Sequence, residues 1–127
     1  MKGRGSTIRG LIAIGVALAA LGLVGVATAA NGRGAHASAT KGVSVRDDLF
    51  VAKSVTIKSG DRVKWTWRDS NDHNVTFRKV PKGASKKPRA KTRSSGTFTR
   101  KFTRRGTYRY VCTIHEDFGM TGSVKVK

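Results

Sequence analysis

Cysteine is nearly absent from this 127-residue chain: Cys112 stands alone, so no internal disulfide can form. Proline occurs only twice, and seven acidic residues face 26 Lys and Arg, for a formal charge of +19. Most cations therefore have no acidic neighbour to pair with, which fixes the sign of any electrostatic partner as negative. Amphipathic helical periodicity is missing, which argues against a helical bundle, and no repeat recurs at a fixed spacing. The length leaves room for one ordinary domain and excludes a multi-domain enzyme. The one long apolar run is Leu11 to Ala30, uncharged throughout and preceded by Lys2, Arg4 and Arg9. Residues 1–30 thus read as a secretory signal, with small residues at Ala27 to Ala30 or at Ala37-Ser38-Ala39 for cleavage. A stretch of this length can also just span a bilayer, so an uncleaved anchor is the alternative. Export follows from either reading: periplasmic, extracellular, or attached to the outer face of the cell membrane.

Without Lys2, Arg4 and Arg9, 23 basic residues remain against 7 acids, so the exported part carries +16. Such a polycation attracts acidic proteins, anionic membrane or wall polymer over a range of roughly 8 Å at physiological salt. Residues 31–42 are mostly Gly, Ala, Ser and Thr without apolar periodicity, and read as a flexible tether to a domain at 43–127. Within that domain, Arg78 to Arg93 holds eight basic residues in sixteen positions. It is either a solvated loop or a docking surface for an anionic partner, with Lys86, Lys87, Arg89, Lys91 and Arg93 as contacts. No aromatic residue is interleaved for base stacking, which disfavours nucleic acid.

The remaining domain alternates apolar and polar residues in short runs. Val43 and Val45 open one strand, Val55 and Ile57 mark another, and Val63, Trp65 and Trp67 share one face of a third. Val75 and Phe77, Phe98 and Phe102, Tyr108 with Tyr110 and Cys112, and Val124 with Val126 continue the pattern. The expectation is an all-β, antiparallel Greek-key sandwich of about seven to eight strands.

Chemistry concentrates in Cys112-Thr113-Ile114-His115-Glu116-Asp117-Phe118-Gly119-Met120, with His73 on an earlier strand. Singly, each residue has an ordinary structural explanation: a small buried hydrophobe, a gap-filling Met, a polar surface His. Jointly they do not, because the domain has two histidines, one cysteine and one methionine, and three of those four fall within nine residues. Thiolate and thioether are soft ligands and imidazole is borderline, a mixture that suits copper cycling between Cu(I) and Cu(II). Zinc more often takes Cys, His or carboxylate in the fourth place.

Val63-Lys64-Trp65, His73-Asn74-Val75-Thr76-Phe77, Gly96-Thr97-Phe98, Gly106-Thr107-Tyr108 before Tyr110-Val111-Cys112, and the Cys-x2-His-x4-Met loop together resemble the cupredoxins, specifically small plastocyanin- and amicyanin-like blue copper proteins. The resemblance implies His73, Cys112 and His115 as trigonal ligands to one copper ion and Met120 as a long axial ligand. It also implies that Asn74 ties the two ligand loops together through the Thr113 region. Electrons would leave through His115, with Ile114 and Phe118 on the rim. Asp72 and Glu116 flank the two histidines where apolar residues or proline are common in that family, and negative charge there favours Cu(II). The Asn74-Val75-Thr76 sequon reads as accidental, since a strand beside a ligand is a poor place for a glycan.

The function implied is an exported, mononuclear type 1 copper protein that carries one electron to an acidic redox partner, as a monomer and not as an enzyme. Copper sequestration or delivery is the alternative, as is a polycationic binding module with a structural metal.

Overall fold

The computed structural model describes residues 34–127, so the expected signal at 1–30 and the start of the tether lie outside the described residues. Nine strands follow: β1 (Thr40–Arg46), β2 (Leu49–Val51), β3 (Ser54–Ile57), β4 (Arg62–Trp67), β5 (His73–Lys79), β6 (Ala90–Arg93), β7 (Thr97–Lys101), β8 (Gly106–Val111) and β9 (Thr121–Val126). A single 3₁₀ turn at Glu116–Phe118 separates β8 from β9. No helix among the described residues is long and apolar enough to cross a membrane.

The strands form two sheets, ordered β2-β1-β4-β7 and β3-β9-β8-β5-β6. Apolar residues at alternate positions of each sheet meet between them. Trp65 of β4, wholly buried, sits edge-on to Tyr110 of β8 with ring centroids 5.2 Å apart and edge-on to Phe77 of β5 at 6.1 Å. Phe102 packs against Tyr108 at 4.8 Å, and Phe50 against Tyr110 at the same spacing. A buried aromatic removes roughly 200 Å² from water, which at ~25 cal/mol per Å² contributes about 5 kcal/mol as an upper bound. This aromatic layer holds the two sheets together without a disulfide.

The all-β sandwich is as expected from sequence, with differences that have physical reasons. Each sheet contains one parallel pair, β1 with β4 and β3 with β9, so the sheets are mixed rather than purely antiparallel. Strand β2 is only three residues long and buries Phe50 alone, too short to show alternation. The segment at 78–93 is not loop throughout: β5 runs on to Lys79, and β6 pairs with β5 at the sheet edge, burying Ala90. An edge strand of this kind tolerates the charge that masked it, because its other side chains face water.

The tether reading at 31–42 is corrected over its second half. Thr40 to Gly42 pair in parallel with Arg62 to Lys64 of β4. Just before them, His36 Nε2 stands 2.8 Å from Asp61 Oδ1, and the Ala39 amide donates to the same oxygen at 2.9 Å. Backbone pairing and one buried carboxylate anchor the segment, and neither leaves an apolar pattern in the sequence.

Candidate metal centre

One end of the sandwich collects the candidate ligands. His73 opens β5, Cys112 follows the last residue of β8, and Met120 immediately precedes β9. Because Tyr108, Tyr110 and Cys112 alternate inward along β8, the thiol arrives at the mouth of the core fully buried. The link from Cys112 to Met120 is held by its own backbone: the Cys112 amide donates to the Met120 carbonyl at 3.0 Å, and the His115 amide donates back to the Cys112 carbonyl at 3.2 Å. The Met120 amide donates to the His115 carbonyl at 3.1 Å. Gly119 closes the 3₁₀ turn at φ 84, a left-handed conformation that glycine adopts without a Cβ clash. Three residues on, Gly122 lies under the Tyr110 ring, where any Cβ would collide with it.

These constraints bring three side chains to one point. His73 Nδ1 and His115 Nδ1 are 3.2 Å apart, Cys112 Sγ is 3.6 Å from His115 Nδ1, and the ligand atoms of all three lie within 4.8 Å of one another. His73, Cys112 and Met120 are fully buried, whereas the His115 side chain keeps 18% of its surface exposed. One thiolate and two imidazoles, with a thioether in the same loop, form a donor set that fits copper. Burial also explains how an unpaired cysteine is protected from oxidants.

Asn74 joins the two ligand-bearing segments. Its Nδ2 donates to Thr113 Oγ1 at 2.8 Å, its Oδ1 accepts from the Thr113 amide at 3.1 Å, and its own amide points at Cys112 Sγ at 3.5 Å. Thr76 Oγ1 donates to Asn74 Oδ1 at 3.0 Å, and Asn74 Nδ2 also donates to Thr92 Oγ1 of β6 at 3.3 Å. The side-chain amide is thus engaged at both ends, fixing the spacing between His73 and Cys112. Ile114 and Phe118 flank His115 in the chain, the latter 80% exposed.

Two further residues touch the histidines and carry no motif in the sequence. His73 Nε2 lies 3.2 Å from Asp69 Oδ2, and His115 Nε2 lies 3.4 Å from Asp48 Oδ1. Burial pushes the Asp69 carboxyl upward, but hydrogen bonds from the His73 ring and the Asp47 amide outweigh it and hold the group below its ordinary value. Asp72 and Glu116, the acids singled out by adjacency, are placed differently: Asp72 is exposed and Glu116 pairs with Arg78. Six of the seven acids nevertheless gather at this end, on the β1–β2 turn (Asp47, Asp48), the β4–β5 loop (Asp69, Asp72) and the ligand loop (Glu116, Asp117). Only Asp61 lies elsewhere, before β4, whose six residues put it about 20 Å away.

Of the five basic residues expected to dock a partner, Lys87, Arg89 and Lys91 line one shallow concavity of the surface. Lys86 and Lys87 belong to a loop wrapped on Arg100, whose guanidinium donates to the carbonyls of Ser85, Lys86 and Pro88. Arg93 sits across from His73 in the β5–β6 pair, with its guanidinium 5.4 Å from the Trp67 ring centroid. Arg89 and Lys91 are exposed between them.

Comparison with known proteins agrees with this geometry. Residues 37–127 match the family model described as copper binding proteins, plastocyanin/azurin family. The chain is 33% identical over 85 residues to plastocyanin from Scenedesmus fuscus, covering 62% of this chain and 87% of that one. It is 36% identical over 73 residues to amicyanin-alpha from Methylorubrum extorquens, covering 58% and 61%. Among solved structures, oxidised plastocyanin from Dryopteris crassirhizoma superposes with a TM-score of 0.59 at 28% identity, over 68% of this chain and 99% of that one. Pseudoazurin from Methylobacterium extorquens AM1 gives 0.60 at 28%, over 68% and 74%. With a matching family model across the folded part, and a buried Cys-His-His cluster at its end, the chain belongs to the plastocyanin/azurin family of copper-binding proteins.

Proposed function

We propose that the protein is an exported one-electron carrier in which His73, Cys112 and His115 would hold a single copper ion, with the buried Met120 of the same loop as a fourth ligand. The observation that carries this reading is the convergence of two imidazoles and one thiol within 4.8 Å in a largely buried pocket. Copper bound there would cycle between Cu(I) and Cu(II). The protein's own part is to keep the ligands still, through the Asn74–Thr113 ties and the loop's backbone hydrogen bonds, so that little reorganisation accompanies each electron. His115 is the one ligand with exposed surface and is the electron port, with Ile114 and Phe118 as an apolar rim. A small contact of that kind suits a transient redox encounter.

Burial of the thiol and of Met120 favours a carrier over a delivery protein, which needs an open site for exchange. A copper enzyme with a second, substrate-binding centre would need spare histidines, and His36 is engaged by Asp61 far from the pocket. The +16 domain draws an acidic redox partner from a distance, and the carboxylates around His115 set which part of that partner can make the final contact. Export rests on the charge and apolar pattern of residues 1–30. Repeated voltammetric cycling of the copper-loaded protein tests the carrier role. A reversible one-electron wave with copper retained is expected, and loss of copper on each reduction would instead indicate delivery.

A further inference from the structure

Both histidines of the copper site are backed by a carboxylate, and both carboxylates are organised by one short turn. The β1–β2 hairpin turns at Asp47 and Asp48, with φ 52 and 54. Two successive left-handed residues make the tight two-residue connection that matches strand twist, a conformation in which Asp is among the few tolerated non-glycine residues. The Asp47 amide donates to Asp69 Oδ2 at 2.6 Å, and that same oxygen meets His73 Nε2. The Asn71 amide donates to Asp69 Oδ1 at 3.3 Å, so both carboxylate oxygens are fixed. From the next position of the turn, Asp48 Oδ1 lies 3.4 Å from His115 Nε2; that oxygen is buried and makes no hydrogen bond, so the two meet as a charge contact. Turn, carboxylates and rings form one bracket, Asp48 on His115 and Asp47–Asp69 on His73.

The chemistry of the bracket follows from donor and acceptor roles. An ionised carboxylate only accepts, so a neutral ring facing one keeps its proton on Nε2 and presents a free lone pair at Nδ1. Applied to both rings, this leaves two Nδ1 lone pairs facing each other 3.2 Å apart beside the Cys112 sulfur. That arrangement presents both lone pairs to a cation placed among them. The hydrogen bond to Asp69 makes the His73 imidazole a stronger donor, and the Asp48 charge beside His115 acts in the same sense, favouring the more highly charged Cu(II) over Cu(I).

We infer that Asp48 and Asp69 are positioning residues of the copper site, which lock the Nε2-protonated form of His115 and His73 and bias the ion toward Cu(II). The inference rests on the copper reading given above. Its consequence is a carrier poised at low potential, with the port histidine shielded by a carboxylate rather than bare.

The test compares Asp48→Asn, Asp69→Asn and Asp117→Asn. The last removes an exposed charge from the ligand loop but no ring contact. In the copper-loaded protein, Asp48→Asn and Asp69→Asn are expected to keep the blue band and to shift the Cu(I)/Cu(II) ratio at fixed potential about tenfold toward Cu(I), equivalent to 59 mV for one electron. Asp117→Asn should shift it less than about twofold, and Asp48→Glu should return toward wild type. Equal shifts in all three Asn variants would overturn the bracket and leave only general charge. A second readout needs no metal. Ring-nitrogen NMR of the metal-free protein at alkaline pH should show His115 protonated on Nε2 in the wild type and a mixture of ring forms in Asp48→Asn. The facing oxygen of Asp48 makes no hydrogen bond, so this variant should fold even if Asp69→Asn does not. Identical ring forms in wild type and Asp48→Asn would contradict the inference, whereas a wild type that takes up no copper would sink the copper reading and leave the NMR test standing.

Discussion

The two ends of the sandwich solve opposite electrostatic problems. At the copper end stand six acids, and two of them touch the rings of His73 and His115 directly. At the other end, the basic loop before β6 folds over Arg100, which is 6% exposed and has no carboxylate beside it. Its charge is met instead by three backbone carbonyls and by the faces of Phe77, Phe102 and Tyr108, with the guanidinium carbon 4.2, 5.1 and 5.5 Å from their centroids. A chain with so few acids has therefore placed nearly all of them where a metal ion must be held. It stabilises the one buried arginine among the described residues with groups every protein has.

Removing a central group from each end should sharpen the contrast. Cys112→Ala has the largest expected effect: complete loss of the blue band in the optical spectrum, with the β-sheet circular dichroism retained. Next, Arg100→Ala should cost about 3 kcal/mol in urea unfolding, since it strands three carbonyls and forfeits the aromatic stacking. The blue spectrum of the folded fraction should be unchanged; a bleached spectrum would show that the two ends are coupled. Asn74→Ala should then weaken copper binding roughly 10–100-fold in a competitive titration, because it frees the two ligand segments from each other.

Smaller effects probe the charge itself. Electron-transfer rates with an anionic reagent should fall as salt rises, and those with a cationic reagent should rise. Neutralising Lys86, Lys87, Arg89, Lys91 and Arg93 together should flatten both dependences; unchanged slopes would leave the basic segment as a solvated and structural element only. Least of all, Asp61→Asn should lower stability at neutral pH. The Ala39 and Lys58 amides, ahead of the His36 ring and against burial, hold the Asp61 carboxyl down at about 2. A depressed carboxylate stabilises the fold above its unfolded value of 3.8 and loses that contribution as pH falls through about 2. Urea unfolding of wild type and variant should therefore converge only toward the acid limit.

The ligands were legible because cysteine, histidine and methionine are scarce enough here for their clustering to stand out, and most strands because Trp65, Trp67, Tyr108 and Tyr110 alternate so plainly. Asp48 and Asp69 were not legible. Adjacency in the chain pointed to Asp72 and Glu116, while the contacts are made across a hairpin turn and a loop that only the fold brings together. The Asp47-Asp48 pair between Arg46 and Leu49 carried the turn signal, given Asp's tolerance of left-handed backbone. Arg100 was hidden for another reason. Phe98, Arg100 and Phe102 share one parity, so the alternation that marks the strand also turns the arginine inward, against the usual expectation for a charge.

Adding Cu(II) to the purified protein and recording its visible and electron-spin-resonance spectra bears most directly on the whole reading. A strong blue thiolate-to-copper band with narrow copper hyperfine splitting is expected from one buried cysteine and two histidines converging within 4.8 Å. A colourless protein that takes up zinc but not copper would contradict it.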